Sequence, residues 1–117
     1  MAAQVNDSID ILVNNAGVVE YVPFSETTPE QFDKLFNVNV KSLFFVTQKL
    51  APKLNDGGRI INISSIVART NFAGVPAYSA TKGAVDTLTV HLAALFGERS
   101  VTVNSISPGA IETDMNA

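Results

Sequence analysis

The sequence predicts an α/β protein in which about three parallel strands are joined by two long helices. Three observations carry that reading. Short β-branched apolar runs at residues 9–13, 59–63 and 101–106 alternate with two long stretches of helical periodicity. Each run stops at polar or turn-forming residues: Asn14-Asn15-Ala16-Gly17, Ser64-Ser65 and Ser107-Pro108-Gly109. Strands that alternate with helices pair in parallel through right-handed crossovers.

Taken in order, residues 1–8 carry no signal beyond mild helix formers. Residues 9–13 are apolar on both faces, which suits a buried parallel strand, and the asparagines and glycine that follow suit its carboxyl end. Thr27-Thr28-Pro29-Glu30 then opens a helix, with a threonine as cap, proline in the first turn and an acid at the positive end of the dipole. This helix is expected over residues 29–54. Phe32, Leu35, Phe36, Leu43, Val46 and Leu50 form its inner stripe, and Val38, Val40, Phe44 and Phe45 widen the stripe beyond one face. The excess implies packing on a sheet with one side and on another helix, of this chain or of a second one, with the other. Asn39 lies mid-helix among apolar neighbours. It reads equally as a satisfied core amide or as a pocket residue.

Asp56-Gly57-Gly58 is a turn signal before the second strand at residues 59–63. A loop containing Gly74 and Pro76 leads into the second helix, whose apolar stripe is Ala84, Val85, Leu88, Leu92, Leu95 and Phe96, with Gly97 as terminator. The third strand at residues 101–106 runs into Pro108-Gly109. Asn14, Asn62, Ser64 and Asn104, near strand ends, are expected to be structural, because buried polar groups there usually satisfy the backbone.

Composition narrows the function. At 117 residues the chain is one small domain at most, and its 46% hydrophobic and 16% charged content is that of a globular protein. A net charge of -3 with scattered Lys and Arg offers no basic patch to nucleic acid or an anionic membrane. No apolar run approaches the ~20 residues of a membrane span, and no basic-then-apolar leader opens the chain, so a cytoplasmic location follows by default. There is no cysteine, hence no disulfide or thiolate metal site. His91 is the single histidine and reads as a helix-surface or packing residue, so no metal is expected.

The chemistry concentrates in Tyr78-Ser79-Ala80-Thr81-Lys82 at the start of the second helix. Residues four apart share one helix face, so the phenol and the ammonium can reach one small pocket. A free tyrosine titrates near ~10, and a cation beside it favours the phenolate. Spacing alone reads first as a surface pair. In an open parallel sheet, however, ligands bind outside the carboxyl ends of the strands, and this helix start lies on that rim.

Together these residues resemble the short-chain dehydrogenase/reductase family. The resemblance rests on the Asn14-Asn15-Ala16-Gly17 strand end, the Val38-Asn39 pair, a serine ending the next strand, Tyr78 and Lys82 beyond it and the closing Pro108-Gly109 turn, all in family order. It implies a partial Rossmann-type, doubly wound sheet, an NAD or NADP cofactor and hydride transfer to or from a small-molecule carbonyl or alcohol. Tyr78 resembles the family's general acid or base. Lys82 would assist it and hydrogen-bond the nicotinamide ribose, Ser65 rather than Ser64 would hold the substrate oxygen, and Asn39 would anchor a water in a proton relay to Lys82. Asn15 and Gly17 resemble residues lining the cofactor near its adenine-side ribose. Pro108, Gly109, Ile111 and Thr113 resemble the loop against its carboxamide and pyrophosphate. The ending Ile111-Glu112-Thr113-Asp114-Met115 is similar in style to 3-oxoacyl-carrier-protein reductases.

One departure from the family stands out: the glycine-rich TGxxxGxG turn that opens its fold is not in this sequence. Residues 1–117 are therefore expected to form a single incomplete NAD(P)-binding domain that lacks the glycine-rich half. Strands added in one direction with right-handed crossovers put both helices on one sheet face, so the other face and the edge beside the first strand should be bare. Two functional readings follow. One is an oxidoreductase, a homo-oligomer through its two long helices. The other is a non-catalytic remnant that pairs with full-length relatives.

Overall fold

The computed structural model describes residues 8–15, 17, 22–64 and 76–107. Its three strands are β1 (Ile9–Asn14), β2 (Leu54–Ile63) and β3 (Thr102–Ile106), all parallel and in the spatial order β1-β2-β3. Between β1 and β2 run α1 (Pro29–Phe36), a π-helical turn (Asn37–Lys41) and α2 (Ser42–Leu50); between β2 and β3 runs α3 (Pro76–Phe96). The register sets Asn14, Asn62 and Ser105 abreast, so the three strands reach their carboxyl ends together. Among the described residues this is the expected open parallel sheet with its two helical connections.

Local chemistry explains where the first helix begins and ends. Thr28 accepts a hydrogen bond from the Gln31 backbone N–H at 3.1 Å, and the Gln31 side chain accepts one from the Thr28 N–H at 2.9 Å, a complete capping box with Pro29 in the first turn. The single helix expected over residues 29–54 is interrupted by the π turn, where the Ser42 N–H reaches back five residues to the Asn37 carbonyl. It also stops earlier. Pro52 has no N–H to continue the ladder, so α2 ends at Leu50 and a 3-10 turn, Ala51–Lys53, follows. Leu54 is already strand.

β2 thus starts five residues before the expected 59–63. Leu54 pairs with Ile9, the register slips, and Arg59 pairs with Ile11, so the Asp56-Gly57-Gly58 signal marks an irregularity inside the strand. Gly57 takes φ +81, and a Cβ on Gly58 would lie 2.9 Å from the carbonyl oxygens of both Asp10 and Asn55. Only glycine fits there. Arg99, on the 3-10 turn after α3, donates to the carbonyls of Ala51 and Leu54 and to the Asp56 carboxylate, and so ties the end of α3 to the start of β2. The left-handed residue after α3 is Ser100, at φ 56, rather than the expected Gly97, although α3 does end at Phe96. The third strand begins at Thr102, one residue later than expected, with Val101 buried just before it.

The core lies on one face of the sheet. Leu12, Ile60, Val101 and Val103 meet Leu50 and Leu54, with Val46, Leu92, Ala93 and Phe96 packed around them. On the other face Ile11 is 53%, Val13 51% and Ile106 50% exposed. Residues 9–13 are therefore apolar on both faces but covered on one, which corrects the reading of a fully buried strand and meets the topological expectation of a bare face. Two stripe residues are also corrected. Phe32 is exposed and stacks on Phe36 at 4.6 Å, lining an open hollow with Phe24, Pro76 and Ala80. Leu95 is exposed because it lies about 80° round the helix from the buried Val85.

Candidate active site

The start of α3 is held against the end of β2 from both sides. The Ser64 hydroxyl donates to the Lys82 carbonyl at 3.1 Å, and the Lys82 ammonium donates to the Ile63 carbonyl at 3.1 Å. Lys82 is 5% exposed, and its Nζ stands 5.7 Å from the centre of the Tyr78 ring, so the four-residue spacing does bring cation and phenol together. Burial lowers the lysine pKa from its ordinary 10.5, and the Asp86 carboxylate one turn further on opposes that shift. A less hydrated ammonium gives up its proton more readily than a surface lysine does.

Asn39 comes from the π turn and is 1% exposed. Its Nδ2 donates to the Thr81 hydroxyl at 3.1 Å, and that hydroxyl donates to the Tyr78 carbonyl at 2.6 Å. Gly17, beyond the end of β1, completes the cluster: a Cβ there would lie 3.4 Å from both Asn39 Oδ1 and Lys82 Nζ. The structure therefore brings Gly17, Asn39, Tyr78 and Lys82 into one place from β1's end, the π turn and α3. Of the two readings left open for Asn39, the structure shows the hydrogen-bonded buried amide. Asn15 is exposed at the carboxyl end of β1, beside a hollow lined by Asn14, Ser42, Leu43 and Val46. Ser65, Pro108, Gly109, Ile111 and Thr113 lie outside the described residues.

A buried polar chain underlies this cluster. Asn14 Nδ2 donates to Thr47 Oγ1 at 3.0 Å and to Asn62 Oδ1 at 2.8 Å, Asn62 Nδ2 donates to Thr89 Oγ1 at 3.0 Å, and Thr89 donates to the Val85 carbonyl at 2.7 Å. Asn14, Asn62 and Ser64 are thus buried and satisfied, but only Ser64 bonds the backbone as expected, the two asparagines bonding side chains, whereas Asn104 is exposed on the bare sheet face. Sequence reasoning missed Thr47, Thr81 and Thr89. The available signal was their spacing: Thr81, Val85 and Thr89 recur every four residues, the period of a buried stripe. His91 is exposed on α3, as expected of a helix-surface residue. Among the described residues no group of three or more potential metal ligands converges, and no helix is long and apolar enough to cross a membrane.

The phenol, the ammonium and the amide thus gather at the carboxyl rim of an open parallel α/β sheet, where sheets of this kind bind their ligands. A family model described as short chain dehydrogenase matches residues 1–117, and the chain belongs to that family. It is 44% identical over 110 residues to versicolorin reductase stcU of Emericella nidulans, covering 92% of this chain and 41% of the relative. Against carbonyl reductase [NADPH] 2 of Sus scrofa it is 43% identical over 92% of this chain and 45% of the relative. The crystal structure of landomycin C-6 ketoreductase LanV with bound NADP and rabelomycin superposes with a TM-score of 0.86 at 43% identity, over 88% of this chain and 42% of that one. The chain spans less than half the length of the curated relatives it matches.

Proposed function

We propose that the protein acts as an NAD- or NADP-dependent oxidoreductase on a small-molecule carbonyl or alcohol. The observation that carries this reading is the convergence of Gly17, Asn39, Tyr78 and Lys82 at the carboxyl rim of the sheet. The residues suit a dinucleotide: a side chain at position 17 would fill the space beside Lys82 Nζ, and the ammonium is a donor-only group suited to ribose hydroxyls. Lys82 and Tyr78 would hold the nicotinamide side, with Asn15, Gly17, Pro108, Gly109, Ile111 and Thr113 along the rest of the cofactor. The cofactor, when bound, supplies or accepts the hydride at the carbonyl carbon.

The protein's own part is proton handling. In reduction the Tyr78 hydroxyl gives its proton to the carbonyl oxygen, and Lys82 stabilises the charge left on the phenol oxygen. Ser65 would hold the substrate oxygen in line. Asn39 anchors the route by which Tyr78 and Lys82 regain the proton. On this reading residues 1–117 are a single, incomplete dinucleotide-binding domain, in keeping with the share of the relatives' length that they span. The outer faces of α2 and α3 support a homo-oligomer: Phe44 and Phe45 meet edge to face at 5.1 Å, Val90 and Leu95 are exposed, and a hollow of about 370 Å³ lies between Phe44, Leu92, Leu95 and Phe96.

The test is a fluorescence titration of the purified protein with NADH and NADPH beside carbonyl-reduction assays of the unmodified protein and Tyr78→Phe. Saturable binding in both, with turnover reduced about 10²- to 10⁴-fold in Tyr78→Phe, is the expected result. Undiminished turnover in Tyr78→Phe would sink the reading. Absence of binding by a folded sample would favour the non-catalytic remnant.

A further inference from the structure

Two threonines on α3, eight residues apart, make the same unusual pair of hydrogen bonds. Thr81 donates back to the Tyr78 carbonyl at 2.6 Å and accepts from Asn39 Nδ2 at 3.1 Å. Thr89 donates back to the Val85 carbonyl at 2.7 Å and accepts from Asn62 Nδ2 at 3.0 Å. A hydroxyl has one proton and two lone pairs. Once the proton is committed to the helix backbone, only lone pairs face outward, and a lone pair can accept from an amide N–H but repels an amide oxygen. Each threonine therefore selects one of the two orientations of a carboxamide that is otherwise nearly symmetric in shape. Asn62 shows the outcome, because its Oδ1 is turned to accept from Asn14.

We infer that Thr81 is a positioning residue: it fixes the Asn39 amide with Nδ2 toward α3, so that Oδ1 faces Gly17 and the Lys82 ammonium. Thr81 is fully buried and Asn39 is 1% exposed, so water does not compete for either group. In the selected orientation an acceptor borders the same space beside Gly17 as a cation that can only donate; in the reversed one N–H donors would border it from both sides. Oδ1 and Nζ both lie 3.4 Å from the point that a Cβ on Gly17 would occupy, which puts the acceptor and the cation on the same small space. The Tyr78 backbone carbonyl thereby sets the polarity of the groups that serve the Tyr78 side chain. Asp86 and the Tyr78 phenol are the titratable groups brought to Lys82 by α3, and Ile63 faces it from β2 with a carbonyl. The catalytic consequence rests on the oxidoreductase reading, but the amide orientation does not.

The test compares the unmodified protein with Thr81→Val, Thr81→Ser and Thr89→Val by NMR titration of the lysine side chains, beside turnover across pH. Fixing an acceptor toward the ammonium favours its charged form, so Thr81→Val should move the Lys82 midpoint to lower pH. Its kcat should fall about tenfold or more while KM changes by less than about twofold. Thr81→Ser, which keeps the hydroxyl, should restore both. Thr89→Val, with the same hydroxyl lost on the same helix face, should melt earlier yet leave the Lys82 midpoint in place. In the unmodified protein the Asn39 amide protons should show nuclear Overhauser contacts with the Thr81 side chain. A Lys82 midpoint that Thr81→Val leaves unmoved overturns the assignment, as does absence of that contact, which decides the matter if Thr81→Val does not fold. Turnover that survives Tyr78→Phe overturns the oxidoreductase reading instead and leaves the titration result standing.

Discussion

At the scale of single residues, Lys82 couples chemistry to stability. Its pKa is lowered chiefly by burial, with Asp86 working against the shift. Between the lowered folded value and the ordinary 10.5 the unfolded chain binds more protons than the folded one, so unfolding free energy rises with pH through that window. Below the folded value the charged, desolvated ammonium lowers stability by its full share. Urea denaturation across the alkaline range should therefore show stability increasing with pH up to about the ordinary lysine value. In Lys82→Met that slope should flatten, and an unchanged slope would mean that another group titrates there. The pairing of Tyr78 with Lys82 was legible in the sequence because helix geometry alone brings residues four apart together. The orientation of Asn39 was not. It depends on Thr81, 42 residues away, and on a hydroxyl proton whose direction no spacing encodes.

At the scale of elements, the boundaries that local chemistry dictates were the readable ones. The Thr28 cap was visible as a threonine before Pro29, and it closes a capping box with Gln31. Thr28→Ala should cost about 1 kcal/mol in chemical denaturation, with Thr28→Ser within a few tenths of the unmodified protein. The π turn was illegible, since nothing in residues 37–41 distinguishes it from continuous helix. Its effect on the site is direct, because Asn39 sits at the middle of that turn. The slip in β2 was half legible. Asp56-Gly57-Gly58 announced a turn, but whether the chain turns before the strand or within it depends on Leu54 pairing with Ile9. Gly58→Ala places a methyl 2.9 Å from two backbone oxygens that cannot swing aside, so it should destabilise by about 1 to 3 kcal/mol. Gly97→Ala, where an added Cβ meets nothing within 4 Å, is the matched control and should change stability by less than about 0.5 kcal/mol.

At the scale of the whole molecule, the fold presents apolar surface on two opposite sides, and the two differ in kind. The sheet face is a pleated layer of half-exposed Ile11, Val13 and Ile106 whose alternate neighbours, Leu12 and Val103, belong to the core. That alternation predicts a contrast along one strand. Leu12→Ala should cost about 2 to 5 kcal/mol, whereas Val13→Thr, one residue on, should cost little and reduce the binding of an apolar dye. The helix face is a hollow between Phe44 and Leu95, and Phe45 and Val90 are also exposed on these helices, a surface that accepts side chains from another helix. Topology made the bare sheet face predictable from the order of elements alone. The helix face was predictable only as an excess of apolar residues, because which of them point outward depends on how α2 and α3 pack on the sheet. If a second copy seats on α2 and α3, Leu95→Glu desolvates a carboxylate at the centre of that contact and should shift the protein to monomer in sedimentation at micromolar concentration. Val13→Thr, which changes the opposite side, should leave the mass unchanged. A Leu95→Glu protein that keeps the mass of the unmodified one, while Val13→Thr loses it, would move the interface to the sheet and end the case for association through the helices.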